Sequence, residues 1–430
     1  MKTVLIVSPR FPPINAADHH RVRMMLPTLA ERGWHAVVLA VDPDFIEGTV
    51  EPDLLLTIPD DVEVVHTRAW PQRLTRRLGF GSLSLRSRRS LKSAGDKLLK
   101  SGRFDLIFFS TTEFGVISLG RHWKRRFGVP FIVDLQDPWV NPHYEETGSR
   151  PPGGAFKHRV TQAIAGIQEG RTLRDAAHVI SVSPRYSEVL RARYRYLSAS
   201  DFSVIPFGGS RFDFKVSDAI GQKQSIFSPS DGRRHWLYAG TAPPGARLAV
   251  TSFLLALRQA CADGILEEDS VRIHFVGTDY APPALLRPQV TPIVKELGMD
   301  RMVTEHPARI PYLETLRCLR DADALLVFGW DDPGYTASKL YPYILADKPL
   351  LSILHEDSSA NEVMQNTRAG VSVCFNGKTS VREMTDQIFQ QWFVTRAFEA
   401  PPSTSWEAFR PYSASEMTRR VTDVFARVAG

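Results

Sequence analysis

The chain has 430 residues, of which 43% are hydrophobic and 23% are charged, with a formal net charge of +6. This length predicts two domains of roughly 200 residues each, and the composition is typical of a soluble globular protein. No stretch approaches the ~20 apolar residues that span a bilayer, which excludes an integral membrane protein. The cysteines Cys261, Cys318 and Cys374 show no metal-ligand spacing and favour a reduced cytoplasm.

Short apolar runs alternate with helical patterns in the N-terminal half. Continuous apolar runs are typical of buried parallel strands, and helices between them imply βαβ units. The predicted strands are 3–8, 36–41, 62–67, 104–110, 131–134 and 178–182, and a helix is predicted at 21–32. These elements predict a Rossmann-like N-terminal domain over residues 1–205.

A basic segment lies within that domain. Residues 68–103 hold eleven lysines and arginines against one acid, Asp96, with apolar residues such as Trp70 and Leu74 between the charges. This pattern favours contact with an anionic membrane surface, which would place the protein in the cytoplasm at the inner face of the membrane. A solvated helix face is the alternative. Nucleic acid is not expected as a partner, because no nucleic-acid-binding motif accompanies the charges.

The C-terminal half repeats the same alternation. Pro206, Gly208 and Gly209, with a loss of periodicity, predict an interdomain linker at 206–234. Strands are predicted at 236–239, 272–276, 302–305, 324–328, 350–353 and 371–373, and helices at 248–263, 289–297, 312–321 and 340–346. The second Rossmann-like domain therefore covers 235–405, and a C-terminal helix at about 406–430 could pack back on the first domain. Ligands of such domains bind at the carboxyl ends of the strands.

A loop that opens a short helix is the most informative segment. It reads GYTASKLYPYILADKPLL from Gly334 to Leu351, and Thr336 or Ser338 could cap the helix. The free N–H groups of a first helical turn, with the ammonium of Lys339 beside them, suit an anionic diphosphate. The structural alternative is an ordinary capped connection between a helix and a strand.

Eight sequence words, in the expected order, resemble bacterial GT-B glycosyltransferases of the retaining, family-4-like, nucleotide-sugar-dependent kind. They are SPRFPP, FSTTEFG, PFIVDLQDPW, VIPFGG, LYAGT, HFVGTDY, RIPYLETLRCLRDADALLV and SKLYPYILADKPL. The resemblance implies an α/β fold of GT-B type, with two Rossmann-like doubly wound parallel-sheet domains facing each other across a cleft. It also implies transfer of a sugar from a nucleotide diphosphate donor to a hydroxyl of a glycan or lipid-linked acceptor, in cell-surface polysaccharide or glycoconjugate synthesis.

The resemblance places the donor in the C-terminal domain. The donor-binding residues it implies are Gly240, Thr241, Arg247, Arg309, Tyr312, Ser338, Lys339 and Tyr341. Gly240 lacks a Cβ and would let backbone approach the phosphates, although an ordinary turn is the alternative. Lys339 would act in catalysis by stabilising the departing diphosphate. The family's usual acid three residues after this lysine is Pro342 here, and the first position of its EX7E pattern falls at Gly334.

The acceptor is expected in the N-terminal domain. Asp134, Asp137 and Trp139 follow a strand, and two carboxylates beside an aromatic face suit a sugar, with Asp137 also expected to be catalytic. The alternative is a helix cap by Asp137. Arg21 and Arg23, in an exposed cationic cluster with His19 and His20, could meet an acceptor phosphate, and Thr111 completes the expected acceptor residues.

No cofactor is expected, because the nucleotide sugar is a co-substrate and a suitable Asp-x-Asp metal motif is missing. Asp331-Asp332 lies near the donor segment without that spacing. Two alternatives stay open at this point. One is a nucleotide-sugar 2-epimerase of the same fold, and the other is a non-catalytic protein that binds nucleotide sugars or glycans.

Overall fold

Two parallel β-sheets form the centres of two separate units. The computed structural model describes residues 1–76, 81–140, 154–242, 244–281, 283–331 and 339–430. The first unit comprises Met1–Gly208 and Ala414–Gly430, and the second comprises Gly209–Ser413. Each unit has its own sheet, with helices packed on both faces.

The first unit contains, among its described residues, a seven-stranded sheet in the order β5-β3-β1-β6-β7-β8-β9. Its strands are β1 (Lys2–Val7), β3 (Trp34–Val41), β5 (Glu63–Thr67), β6 (Leu106–Ser110), β7 (Phe131–Leu135), β8 (His178–Ser181) and β9 (Phe202–Val204), and a small ribbon pairs β2 (Ile14–Asn15) with β4 (Thr49–Val50). Its helices are α1 (His20–Leu29), α2 (Gln72–Arg76), α3 (Leu83–Leu99), α4 (Phe114–Ile117), α5 (Leu119–Phe127), α6 (Ala155–Asp175), α7 (Pro184–Arg193) and α16 (Ala414–Ala429). The central strands are fully buried, as their continuous apolar runs predict.

The second unit is built in the same way. Its described residues include a six-stranded parallel sheet in the order β12-β11-β10-β13-β14-β15. Its strands are β10 (Arg234–Ala239), β11 (Val271–Val276), β12 (Val303–His306), β13 (Ala324–Phe328), β14 (Leu350–His355) and β15 (Val371–Phe375). Its helices are α8 (Arg211–Ala219), α9 (Arg247–Ala262), α10 (Thr291–Glu296), α11 (Tyr312–Asp321), α12 (Leu340–Ala346), α13 (Ser359–Thr367), α14 (Val381–Ile388) with a π-helical turn (Phe389–Val394), and α15 (Trp406–Phe409).

The C-terminal helix α16 belongs to the first unit. Its Phe425 packs edge-on against Trp34 and Phe108, with ring centroids 5.3 and 5.0 Å apart. Residues 406–413, which the sequence groups with the same helix, lie in the second unit instead. The chain therefore returns to its first unit only at Ala414.

The segment predicted as a linker, 206–234, holds helix α8. Ser210 caps this helix by accepting a hydrogen bond from the backbone N–H of Asp213 at 3.2 Å, and Phe214 is buried in the core of the second unit. The segment is therefore part of the second unit from Gly209 onward, and not a free connection. Gly208 and Gly209 therefore precede a capped helix and do not mark an irregular linker.

Elements with strong apolar periodicity lie where the sequence predicts them. Helices α11 and α12 and strand β13 have the predicted bounds, and most other strands differ by one or two residues. Cys261, Cys318 and Cys374 are free thiols. None of the helices among the described residues has the length and apolar character to cross a bilayer.

Candidate donor and acceptor sites

The carboxyl end of β10 in the second unit is shaped by glycine. Gly240 follows the strand with a φ of +143°, and Gly277 follows the neighbouring β11 with a φ of +71°. The Gly240 N–H donates to the Val276 carbonyl, and the Gly277 N–H donates to the His306 carbonyl, both at 2.8 Å. L-residues with a side chain rarely adopt such backbone, so glycine is required where the two strands turn.

Lys339 lies against this strand end. It directly precedes α12, and its Nζ donates to the Tyr238 hydroxyl at 2.7 Å. The same ammonium lies 4.4 Å from the centroid of the Tyr238 ring, and the Tyr238 hydroxyl in turn donates to the Thr241 carbonyl. Tyr238 therefore fixes the position of the lysine through both its ring and its hydroxyl.

Gly240 and Lys339, two of the predicted donor residues, lie in contact. A Cβ placed on Gly240 would lie 2.9 Å from the Lys339 Nζ, which is too close for an unmoved lysine. Lys339 is half-buried, and desolvation lowers the pKa of its ammonium to about 7. The strand end thus combines backbone that no side chain covers, at Gly240, with the poorly solvated ammonium of Lys339. This arrangement suits an anion.

Helix α12 is tied to the same strand by Tyr343. The Tyr343 hydroxyl accepts from the Ala239 N–H at 2.6 Å and donates to the Ala239 carbonyl at 2.9 Å. This buried side chain fixes the start of α12, and therefore Lys339, relative to β10. Sequence reasoning missed both Tyr238 and Tyr343. Both tyrosines lie close in sequence to predicted donor residues, since Tyr343 follows Lys339 by one helical turn and Tyr238 precedes Gly240 by two residues, but this spacing does not show which atoms they contact.

Other predicted donor residues lie elsewhere in the second unit. Arg247 pairs with Glu296 on the surface at 2.7 Å. The Tyr312 hydroxyl donates to the buried carboxylate of Asp213 at 2.8 Å and so links α11 to α8. Arg247 and Tyr312 therefore each bind another side chain of the second unit.

Two further predicted donor residues have aromatic partners. Arg309 lies beside the Gly277 turn, because a Cβ placed on Gly277 would lie 3.7 Å from the Arg309 Cα. The Arg309 guanidinium lies 5.3 Å from the Tyr280 ring centroid. Tyr341 stacks on Tyr412 at 5.9 Å, and burial raises the pKa of Tyr341 to about 12. Thr241 is half-buried beyond the Gly240 turn, and Ser338, Thr336 and Gly334 lie outside the described residues.

In the first unit, the expected acceptor residues Arg21 and Asp134 form a fully buried ion pair, with Nε 2.8 Å from Oδ2. Ser110, the register neighbour of Asp134 on β6, donates to the same oxygen at 2.8 Å, and Arg21 also donates to the Ile205 carbonyl at 2.7 Å. The predicted exposed cationic cluster is therefore wrong. The anion that relieves the basic helix start is Asp134 itself.

The remaining buried acceptor candidates also have structural roles. Thr111 donates to the Asp18 carboxylate at 3.1 Å. Trp139 stacks on Phe114 at 5.6 Å, which leaves little of its ring for a sugar. Arg23 is buried in α1. These side chains shape the carboxyl end of the sheet and do not present polar groups to solvent.

Asp137 alone among the six expected acceptor residues is exposed. Partial desolvation, and next the charge of Asp18, raise the pKa of its carboxyl above the ordinary value. Desolvation, and next the charge of Asp137, raise the pKa of Tyr186, at the start of α7. Asp137 is thus the expected acceptor residue best placed to exchange a proton with a ligand.

The basic segment 68–103 is partly structural. Arg86 is buried and donates to the carbonyls of Phe45 and Trp70 at 3.0 Å each, and Arg88 donates to the Gly115 carbonyl and the Ser118 hydroxyl. Outward-facing apolar residues accompany these arginines, since Trp70 is 58% exposed and Leu74 is 63% exposed. Surface contact by this segment must therefore depend on its outer residues and not on Arg86.

Metal binding has no obvious site in the described part of the chain. No group of three His, Cys, Asp or Glu side chains comes together there as a set of ligands.

Comparisons with known proteins agree with this architecture. Residues 19–208 match the family model of the glycosyl transferase 4-like domain. A search of curated proteins gives no match. Among solved structures, Anabaena HepE in complex with UDP-glucose has 15% identity and a TM-score of 0.56, covering 99% of this chain and 100% of that chain.

Two other solved structures show the same likeness. A glycosyltransferase from Rickettsia africae has 11% identity and a TM-score of 0.58, with 99% and 98% of the two chains covered. A UDP-forming trehalose-phosphate synthase from Burkholderia xenovorans has 12% identity and a TM-score of 0.58, with both chains fully covered. At these identities the likeness shows the fold, which is the GT-B fold. The first unit carries the match to the glycosyl transferase 4-like domain.

Proposed function

We propose that the protein transfers a sugar from a nucleotide diphosphate donor, bound by the second unit at the end of β10, to a hydroxyl of a glycan or lipid-linked acceptor. The observation that carries this proposal is the contact between Gly240 and Lys339, held in place by Tyr238. Open backbone beside a poorly solvated ammonium favours a diphosphate.

A uridine nucleotide is the first donor to test. HepE is described in complexes with UDP and with UDP-glucose, and the synthase from Burkholderia is described as UDP-forming. In this proposal the Lys339 ammonium, beside Gly240, stabilises the negative charge of the departing diphosphate. Asp137 acts on the acceptor side.

Retention of anomeric configuration and independence from metal are part of the proposal. Turnover that is lost with a chelator and restored by manganese would refute independence from metal.

Thermal shift with a panel of UDP-, GDP-, dTDP- and CMP-sugars tests donor binding. The wild type is compared with Lys339→Met, which keeps an unbranched stem without the charge, and with Lys295→Met, which removes an exposed lysine of the same unit. A donor that stabilises the wild type and Lys295→Met far more than Lys339→Met supports the proposal. Equal shifts in all three proteins, or no shift with any donor, would contradict it.

Donor turnover separates an enzyme from a binding protein. We expect slow release of nucleoside diphosphate from the donor without acceptor, because a glycosyltransferase activates the leaving group that water can also displace. A protein that binds the donor but releases no nucleotide at any enzyme concentration would be a non-catalytic binder. Conversion of a UDP-sugar into its 2-epimer would identify the alternative enzyme.

The acceptor side of the proposal includes a membrane surface. We propose that the protein acts in the cytoplasm, in synthesis of cell-surface glycans, with segment 68–103 facing anionic lipid at the inner face of the membrane. The exposed residues Trp70, Leu74 and Arg89 support this. Leu74→Ser with Arg89→Glu should reduce binding to vesicles that contain phosphatidylglycerol and leave the melting temperature unchanged. Unaltered vesicle binding would make the segment a solvated face.

A further inference from the structure

A cavity of about 600 Å³ lies in the first unit, among helices α3, α5 and α6. Five arginines line it: Arg88 from α3, then Arg121, Arg125 and Arg126 from α5, and Arg171 from α6. The volume is in the range of ligand pockets. None of the expected donor or acceptor residues contributes to its wall.

The positive charge of this arginine cavity exceeds the negative charge beside it. Asp175 pairs with Arg121 at 2.6 Å and more loosely with Arg125 at 3.4 Å. Asp96 pairs with Arg126 at 2.6 Å. Five arginines against two carboxylates leave three positive charges without a counterion, before His122 in the wall is counted.

Two of the arginines have no carboxylate of their own. In the described ranges, neither Arg88 nor Arg171 forms an ion pair. Arg88 is nevertheless held firmly, because it donates to the Gly115 carbonyl and the Ser118 hydroxyl. The hydroxyl of Thr172, a fully buried residue of the wall, has no hydrogen-bond partner among the described residues. The cavity therefore contains an oriented guanidinium group without a carboxylate partner, and a wall hydroxyl without a hydrogen-bond partner among the described residues.

The helix dipole explains only part of this cluster. Arg125 and Arg126 lie in the last turn of α5, where positive charge is favourable. Arg121 and Arg125 nevertheless face each other one turn apart, an arrangement of like charges that destabilises a helix. The dipole of α5 also gives no reason for Arg88 and Arg171, from two other helices, to line the same cavity. A bound anion would relieve the repulsion among all five.

We propose that the arginine cavity is a binding site for a phosphate-bearing anion of mono- or diphosphate size, separate from the donor site. Guanidinium groups recognise phosphate oxygens through paired N–H donors, and five of them around one cavity supply such pairs from several directions. Gln168 in the wall has a neutral side-chain amide that can donate to the remaining oxygens. The net charge of the site matches that of a diphosphate.

The phosphate could belong to a lipid head group or to a soluble compound. An apolar stripe on α6 makes the first source testable: Val160, Ile164 and Ile167 are 44%, 51% and 55% exposed. Their spacing of four and three residues puts them on one helix face, which continues to Arg171 four residues further on. If the phosphate is part of a lipid, this stripe should enter the bilayer beside the cavity.

Binding of inorganic pyrophosphate to the intact protein tests the proposal. Four proteins are compared by isothermal titration: the wild type, Arg125→Gln with Arg171→Gln, Arg159→Gln with Arg191→Gln, and Lys339→Met. The first pair removes two outer arginines of the cavity, and the second pair removes two exposed arginines of the same unit outside it. We expect the cavity pair to weaken binding at least about tenfold, which corresponds to about 1.4 kcal/mol, and the control pair to leave it unchanged.

Lys339→Met distinguishes this site from the donor site. Pyrophosphate binding that survives in Lys339→Met but fails in the cavity pair supports the arginine cavity, whatever the donor proves to be. Binding lost in Lys339→Met and kept in the cavity pair would overturn the proposal, as would equal weakening in both arginine pairs or no binding to the wild type.

Vesicles identify the source of the phosphate. For a lipid head group, the cavity pair should reduce binding to phosphatidylglycerol vesicles more than the control pair does, and pyrophosphate should compete. Ile164→Ser with Ile167→Ser should then weaken vesicle binding without affecting pyrophosphate binding. Pyrophosphate binding that depends on the cavity, without any difference between the two arginine pairs in vesicle binding, identifies a soluble ligand.

Discussion

The affinity for a UDP-sugar should depend on pH through Lys339. Burial lowers the pKa of this ammonium to about 7, so the free protein loses the positive charge over the range in which an exposed lysine keeps it. A diphosphate bound beside Lys339 favours the charged form and raises its pKa again. Binding above pH 7 must therefore take up a proton.

The size of the effect follows from the distance between the pH and the pKa of the free protein. At pH 9, two units above about 7, the proton costs about 1.4 kcal/mol per unit, so the affinity falls by about a hundredfold relative to pH 6. The diphosphate of a nucleotide sugar has no ionisation of its own in this range. A lysine at its ordinary pKa would leave the affinity constant between pH 6 and pH 9.

Isothermal titration of UDP-glucose, or of whichever donor the panel identifies, measures this dependence from pH 6 to pH 9. Repeating the titration at pH 8 in buffers of different ionisation enthalpy should report uptake of nearly one proton. Lys339→Met should bind weakly at pH 6, without the dependence on pH. A dissociation constant that stays level between pH 7 and pH 9, or a pH dependence that persists in Lys339→Met, would show that Lys339 does not cause the pH dependence of donor binding.

Three further changes test the rest of the structure. Gly240→Ala should weaken donor binding, because its Cβ would require the Lys339 ammonium to shift, and it should cost about 1–3 kcal/mol of stability through backbone strain, measured by urea unfolding. Asp134→Ala should destabilise the protein by about 3–5 kcal/mol in the same assay, because it leaves a buried arginine without its ion pair. Desolvation, and next the charges of His235 and His306, lower the pKa of His274 to about 4. The unfolded chain, in which this histidine has its ordinary pKa of about 6.5, therefore takes up a proton before the folded protein does. The contribution of His274 to the free energy of unfolding should fall by about 3 kcal/mol as the pH drops from 6.5 towards 4.

Each of these changes has a matched control. Gly232→Ala replaces a glycine with a φ of +83° and open space around it, so it should cost about 1 kcal/mol and leave donor binding intact. Glu63→Ala breaks an exposed pair with Arg103 and should cost less than about 1 kcal/mol. His274→Gln should flatten the fall in stability at acid pH. Equal effects of a variant and its control, or an unchanged acid profile in His274→Gln, would contradict the corresponding argument.

The second unit shows why its helix start could be predicted from the sequence. Lys339 and the helix after it are local features, because a polar loop, an apolar run and a Lys-Pro turn follow each other within a few residues. Gly240 is equally local, since it follows a strand. Their contact is not local. It depends on the hydroxyl of Tyr343 reaching back to Ala239, a pairing that the sequence spacing does not reveal.

The first unit shows where sequence patterns mislead. Arg21 and Asp134 both have the chemistry of a binding site, but only the pairing of β6 with β7 shows that Asp134 faces a buried helix start. In the same way, the basic segment was identified by its charge, although Arg86 is a core residue and Arg88 faces a cavity formed by two other helices. The charge of a segment can be counted from the sequence. Its burial and its contacts with other helices depend on tertiary packing.

The proposed function requires that the end of β10 binds the diphosphate of a nucleotide sugar. A crystal structure of the intact protein with UDP tests it most directly. We expect a diphosphate with an oxygen within about 3 Å of the Lys339 ammonium and its phosphates against the backbone at Gly240. A diphosphate bound elsewhere, with Lys339 still donating only to Tyr238, would contradict the proposed donor site.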